Sequence, residues 1–301
     1  MNRWICLGVL AMLCAAGCNC ASRPELPYAN GSGRVVNLSD HPYEQVAAAM
    51  NARAQRLERL YTPVIVTVWY IGRQGEDEVD QLDGSLHVVH PTKISMNLQK
   101  VGVEGAALGA NERHYWFMDL LAETPVASIG THERANPDQL SELGVPVHPL
   151  DLLLLLGFSP VPSSPMDASA LSVTSLGSHL LLRAPARWGV VEYTLDPTTY
   201  EPVRVALRRG PRLPPALTAD MLERIEFVDR TDPQQSALEI PRRILIDVPA
   251  LDARVRIRLL DPHVSRRRPD ERAFDLGDAL SRHGIRLRRD LDVAHARRQE
   301  D

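Results

Sequence analysis

Hydrophobic positions along the chain change period several times, and each change marks a predicted element. From about Tyr43 to Tyr61, Val46, Met50, Ala54, Leu57 and Leu60 recur at helical spacing while Arg53, Arg56 and Arg59 face elsewhere. That pattern predicts one long amphipathic helix that needs a partner surface. Ser39 or Asp40 is placed to cap it and Pro63 to end it. The next run, VIVTVWYIGRQG from Val64 to Gly75, is β-branched and aromatic and predicts a strand. LDGSLHVVHPTKISMNLQKVG holds two more strand-like runs with Pro91 between them, and RHYWFMDLL predicts a further one. After an interruption come SALSVTSLGSHLLLRAP, GVVEYTLDPTTYEPVRVALRRG, LERIEFVDRT and RRILIDVPALDARVRIRLLD. Around Asp196-Pro197-Thr198-Thr199, Val191, Tyr193 and Leu195 alternate with Glu192 and Thr194, and Val203, Val205 and Leu207 follow the turn, which predicts a hairpin. Short strands with turn signals about every ten residues predict an antiparallel meander forming a barrel or sandwich.

The interruption is helical in pattern. NPDQLSELG and HPLDLLLLLGFSPVPSSP place Pro137 and Pro149 at first-turn positions. Leu152 to Leu156 are consecutive leucines that end in Gly157 and Phe158. A short helix apolar on every side is either buried in a core or closes over the mouth of an apolar cavity.

All of the cysteines, Cys6, Cys14, Cys18 and Cys20, lie at the start of the chain. Arg3 supplies a positive n-region, and Trp4 to Leu13 is an apolar run of signal-peptide length, too short to span a bilayer as a helix. Ala15, Ala16 and Gly17 stand directly before Cys18, and this stretch resembles a bacterial lipobox. The resemblance implies a signal peptide over residues 1–17 and a lipid-acceptor Cys18 bearing a diacylglycerol and an N-acyl chain. Several such chains anchor a protein stably where one binds marginally. Asn19 follows Cys18 where an Asp would resemble an inner-membrane retention signal, so the expected location is the outer membrane, facing the periplasm. An ordinary secretory signal with Cys18 incidental is the alternative. Residues 18–40 are polar and turn-rich and read as a flexible tether. Cys6 and Cys14 would leave with the leader, so the mature domain has no disulfide and depends on a hydrophobic core.

Composition narrows the function. The 301 residues carry a formal net charge of -4, which argues against a nucleic-acid partner, because phosphate binding needs a concentrated basic face. Lysine occurs only at Lys93 and Lys100, and no second apolar stretch reaches membrane-spanning length. No G-x-S-x-G, P-loop, H-E-x-x-H or paired-cysteine site occurs, so no enzymatic activity, cofactor or metal is expected. His87 and His90, three apart on a strand, point to opposite faces and cannot chelate one ion. Glu76, Asp77, Glu78, Asp80 and Asp83 read as a solvated acidic turn rather than a Ca2+ loop. Ser265 to Arg272, SRRRPDER, reads as a solvated basic linker ahead of a C-terminal tail or as a contact for anionic headgroups.

The order of elements resembles the LolA/LolB-like bacterial lipoprotein-carrier fold over roughly residues 41–262. Asp83 to Leu120 carries the match: DGSLHVVHPTKISMNL resembles a Gly-led strand, a Pro and a second strand, and GANERHYWFMDL resembles a turn with Asn followed by an aromatic strand around Tyr115, Trp116 and Phe117. The expected fold is mainly β with α: an incompletely closed antiparallel β-barrel with an N-terminal helix and a helical lid. Residues 263–301 would form a partly mobile C-terminal extension. The resemblance implies a lipid or a lipoprotein acyl moiety bound in an apolar barrel cavity, received from a periplasmic carrier protein. Alternation and aromatic size nominate Trp69, Trp116, Leu153 and Leu156 as the lining. The alternative is a filled barrel that serves as a scaffold for a protein partner.

Overall fold

The computed structural model describes residues 36–72, 74–142, 147–174, 178–210, 213–227, 238–264 and 271–292. Cys18 and most of the tether lie outside the described residues. Helix α1 (Tyr43–Arg56) buries Val46, Met50 and Ala54, the stripe its spacing predicted. It is shorter than expected. The chain turns at Leu57 and enters β1 (Arg59–Ile71), where Leu60, Thr62, Val64 and Val66 alternate inward. Pro63 therefore sits inside a strand instead of ending a helix, and its carbonyl accepts from the Leu260 N–H. Leu60 fits both periods, which is why the helical reading ran on too far. Ser39 and Asp40 form a separate short 3-10 turn, and no side chain caps α1.

From β1 the chain meanders through β2 (Asp77–Val89), β3 (Lys93–Lys100), β4 (Val103–Ala110), β5 (His114–Asp119) and β6 (Val126–Thr131). Helices α2 (Pro137–Glu142) and α3 (Pro149–Leu155) follow. A second meander comprises β7 (Leu171–Val173), β8 (Leu180–Ala186), β9 (Gly189–Leu195), β10 (Pro202–Arg208), β11 (Leu217–Phe227), β12 (Leu238–Val248) and β13 (Ala253–Leu259). The hairpin predicted at Asp196–Thr199 joins β9 to β10, with Leu195 opposite Pro202. The two meanders fuse where β13 pairs antiparallel with β1, Val66 facing Ile257. Among the described residues this makes one sheet in the order β6-β5-β4-β3-β2-β1-β13-β12-β11-β10-β9-β8-β7 before its last strand is added.

That last strand comes from the C-terminal segment. Helix α4 (Leu276–Arg282) and β14 (Leu287–Asp290) fold back on the first meander, β14 pairing parallel with β6. Residues 271–292, expected within a partly mobile extension, are thus part of the sheet and its cover. The sheet stays open, with β14 at one edge and β7 at the other.

One face carries the main core, built from inward side chains of both meanders and filled by Val46, Met50 and Leu57 from the α1 segment and by Leu152, Leu153, Leu155 and Leu156 from the α3 segment. Helix α3 touches β3 and β4 of one meander and β10 of the other, so the sheet curls around it. The opposite, convex face has a second, smaller core: Ala107, Trp116, Met118 and Ala127 lie beneath Ala279, Leu280 and Ile285. Trp116 lies flat over Gly109, where a Cβ would stand 2.4 Å from the indole, so only glycine fits there.

Two polar readings change. The acidic stretch is not a solvated turn: Asp77 to Asp83 lie in β2, and Asp80 is buried with Lys100 and the Tyr70 hydroxyl as partners. Arg53, expected to face away from the packed side of α1, is buried, and its Nη1 lies 3.0 Å from Glu201 Oε1. Arg224 binds the same carboxylate, so a shared anion ties α1 to the second meander.

Candidate functional site

The concave face and the helix that fills it are the site the fold presents. Local chemistry fixes α3 at both ends. Pro149 occupies the first turn, where a missing N–H costs nothing, and His148 is the N-cap. At the far end Gly157 adopts φ +70°, its N–H donates to Leu154 O at 2.9 Å and the Phe158 N–H donates to Leu153 O at 3.0 Å. This is a Schellman closure, which requires a left-handed residue that glycine supplies at no steric cost. Between the caps, Leu152, Leu153 and Leu155 are buried, as is Leu156 at the C-cap.

Beneath the N-terminus of α3 lies a polar seat. The Leu150 N–H donates to His148 Nδ1 at 3.1 Å, so His148 holds its proton on Nε2. That proton is donated to His132 Nδ1 at 3.2 Å, and His132 Nε2–H donates to the Asn111 carbonyl at 2.6 Å. Both rings are therefore neutral. Burial pushes His148 down to about 2, assisted by the Arg187 charge, and lowers His132 as well. Tyr115 packs against His148 at 4.6 Å between ring centroids, and Trp188 meets it edge-on at 5.9 Å.

The seat is incompletely satisfied. The hydroxyls of Tyr115 and Tyr193 are buried without a hydrogen-bond partner. Burial raises the Tyr115 hydroxyl to about 12 and lifts that of Tyr193 further. Asp151, in the first turn of α3, is buried and pushed up to about 6, with Arg187 Nε 3.9 Å from its Oδ1 as the opposing influence. A cavity of about 40 Å³ beside Asp151 is lined by Val147, Trp188, Leu207 and Leu217 among others, room for about one water. Orphaned buried hydroxyls each forfeit about 1–3 kcal/mol of hydration. The seat of α3 is consequently a weak point in an otherwise apolar interior.

The four nominated lining residues divide. Leu153 and Leu156 are 1% and 0% exposed in the main core, filling the concave side, and neither lines the cavity beside Asp151. Trp69 and Trp116 stand on the convex face and cannot line the same space. Trp69 is opposite Arg254 and lies under the Arg256 guanidinium, 4.9 Å from the ring centroid. Trp116 is covered by α4. Alternation gives the period of a strand but not which phase is inward, and both tryptophans lie on runs apolar on both faces. Sequence reasoning missed His132, His148 and Asp151. The available signal was His148 immediately before Pro149, an N-cap acceptor ahead of a first-turn proline. Among the described residues no group of three or more metal-ligating side chains occurs.

No protein-family model matches the chain, and no curated protein matches it. Among solved structures it is similar to a DUF1329-family protein of Desulfovibrio piger, with 8% identity and a TM-score of 0.52 over 78% of this chain and 96% of that one. It is also similar to a LolA-superfamily protein of Nitrosomonas europaea, with 10% identity and a TM-score of 0.46 over 75% of this chain and 96% of that one. At such identities the likeness is one of fold, and the first structure carries it. The expected fold class, mainly β with an unclosed antiparallel sheet, an N-terminal helix and a helix across the concave side, is the one the chain adopts.

Proposed function

We propose that this chain is a non-enzymatic, lipid-anchored protein of the bacterial cell envelope that takes an acyl chain of a lipid or lipoprotein onto the concave face of its sheet. Cys18 would carry the diacylglycerol and N-acyl chain and hold the domain at the outer membrane, facing the periplasm. The observation that carries the reading is α3. It is a seven-residue segment with buried leucines, laid between β3, β4 and β10 over a seat with orphaned hydroxyls. Withdrawing it would uncover continuous apolar surface, and each Å² covered again by an acyl chain returns about 25 cal/mol. Leu153 and Leu156 then mark the place where cargo replaces protein. Cargo would come from a periplasmic carrier protein.

A second reading has its own observation. The leucines fill the interior, as they would in a scaffold that binds a protein partner on its outside. Native mass spectrometry of the soluble chain without its anchor, residues 21–301, purified gently from a bacterial periplasm separates the two. Co-purifying phospholipid or fatty acid, with uptake of a fluorescent fatty acid by the stripped protein, is the expected result. A clean apo mass with no uptake assigns the scaffold role.

A further inference from the structure

The convex face carries a cationic patch that the acyl-binding reading does not use. Register places Arg256 opposite Thr67 and Arg258 opposite Ile65 across the β1–β13 seam, and Arg243 of β12 directly opposite Arg258. Three guanidinium groups therefore share one side of two adjacent strands, β12 and β13. Like charges directly across a ladder are destabilising, so the fold bears a local cost here.

Nearby acids offset it only at Arg243. Asp247 is engaged by Arg254 at 2.6 Å, Asp220 by Arg204 at 3.4 Å, and Glu223 by Arg243 Nη2 at 3.0 Å. Among the described residues no carboxylate lies within ion-pair distance of Arg256 or Arg258. Arg256 is held in place by stacking on Trp69 and by donation from its Nη2 to Thr67 Oγ1 at 3.2 Å. The Arg243 Nε–H is buried and has no acceptor. Burial, followed by the Arg243 and Arg258 charges, lowers the Arg256 pKa. Beside this patch the same face exposes apolar side chains: Val79, opposite Trp69, is 42% exposed and Ile71 is 37% exposed.

We infer that this convex patch docks onto the anionic phosphate headgroups of a phospholipid membrane, with Arg243, Arg256 and Arg258 on phosphate and Trp69, Val79 and Ile71 at the interfacial level. Guanidinium groups match phosphate oxygens bidentately, and a tryptophan flanked by small apolar side chains is at home where headgroups meet acyl chains. Docking by this face would leave the concave side free for cargo. The inference rests on the membrane location proposed above, and its test is independent of cargo binding.

The full chain carrying Cys18→Ala, which removes the lipid anchor, is mixed with vesicles of phosphatidylcholine alone or with added phosphatidylglycerol, and binding is measured by co-sedimentation. The leader, with its positive Arg3, is common to every variant, so its contribution cancels in the comparison between variants. The expected result is a preference for anionic vesicles that falls with salt. It should drop about fivefold on Arg258→Gln and on the order of a hundredfold when Arg243→Gln, Arg256→Gln and Arg258→Gln are combined. Fatty-acid uptake should be unchanged in those variants, so a failure of cargo binding and a failure of docking are read separately. Arg258 is exposed and its replacement relieves repulsion, so Arg258→Gln remains folded even if the triple variant does not. Equal binding to both vesicles, or a preference that survives Arg258→Gln and the triple substitution alike, overturns the inference. So does loss of the preference to inorganic phosphate at an ionic strength where chloride leaves it intact, since the site would then be one for free phosphate.

Discussion

Three hydrogen bonds in series, from the Leu150 N–H through His148 and His132 to the Asn111 carbonyl, run in one direction only if both imidazoles are neutral. Protonating His148 at Nδ1 would remove the acceptor that caps α3. His148 and His90 are held by burial at about 2 and about 4, both below the ordinary histidine value of 6.5. Each contributes stability that is complete above about pH 6.5 and is lost as pH falls toward its folded value, because the unfolded chain takes up protons first. Asp151 works in the other direction: its raised value favours the folded state below the ordinary carboxyl range, and that contribution is lost as pH rises through about 6. Urea midpoints should therefore decline below pH 6.5. In Asp151→Asn, which lacks this opposing carboxyl, the decline between about pH 6 and 4 should be steeper than in the parent. Replacing His148 by Ala should cost about 2 kcal/mol in urea unfolding, and His148→Asn, which keeps an N-cap acceptor, should recover about 1 kcal/mol of it.

At the scale of elements, α3 and α4 do different work on opposite faces, and the sequence disclosed them unequally. Five leucines between a proline and a glycine announced α3 and its burial. Helix α4 was hidden because it is short, follows a basic run, and buries Ala279 and Leu280 against a face whose apolar character was itself ambiguous. The same ambiguity misplaced Trp69 and Trp116. A strand with apolar side chains on both faces has no polar phase from which to read its inward direction. The β9–β10 hairpin was legible because its outward positions are charged or hydroxylated. The two cores predict separable effects. Leu280→Ala should cost about 2–3 kcal/mol and shift Trp116 emission to the red, since it opens the small convex core. Leu156→Ala should cost about 2–5 kcal/mol in the main core without that spectral change.

Across the whole molecule the sheet is continuous but its edges differ from its centre. β1 is paired on both sides along much of its length, whereas β7 and β14 are short and pair on one side only. Amide exchange should be slowest in β1, β2 and β13 and should reach β7 and β14 at much lower opening free energy. Protection in β14 equal to that in β1 would contradict this order. The seam between β1 and β13 has a consequence in time. Each meander is built from neighbours along the chain and can pair as soon as it exists, but the seam joins partners from opposite ends of the described chain. Loops of that length close slowly, and the two halves must wait, each with one unpaired margin, until β13 meets β1. A chain delivered N-terminus first would present the β1 margin longest, so the interval before the seam zips is when this protein most needs a chaperone.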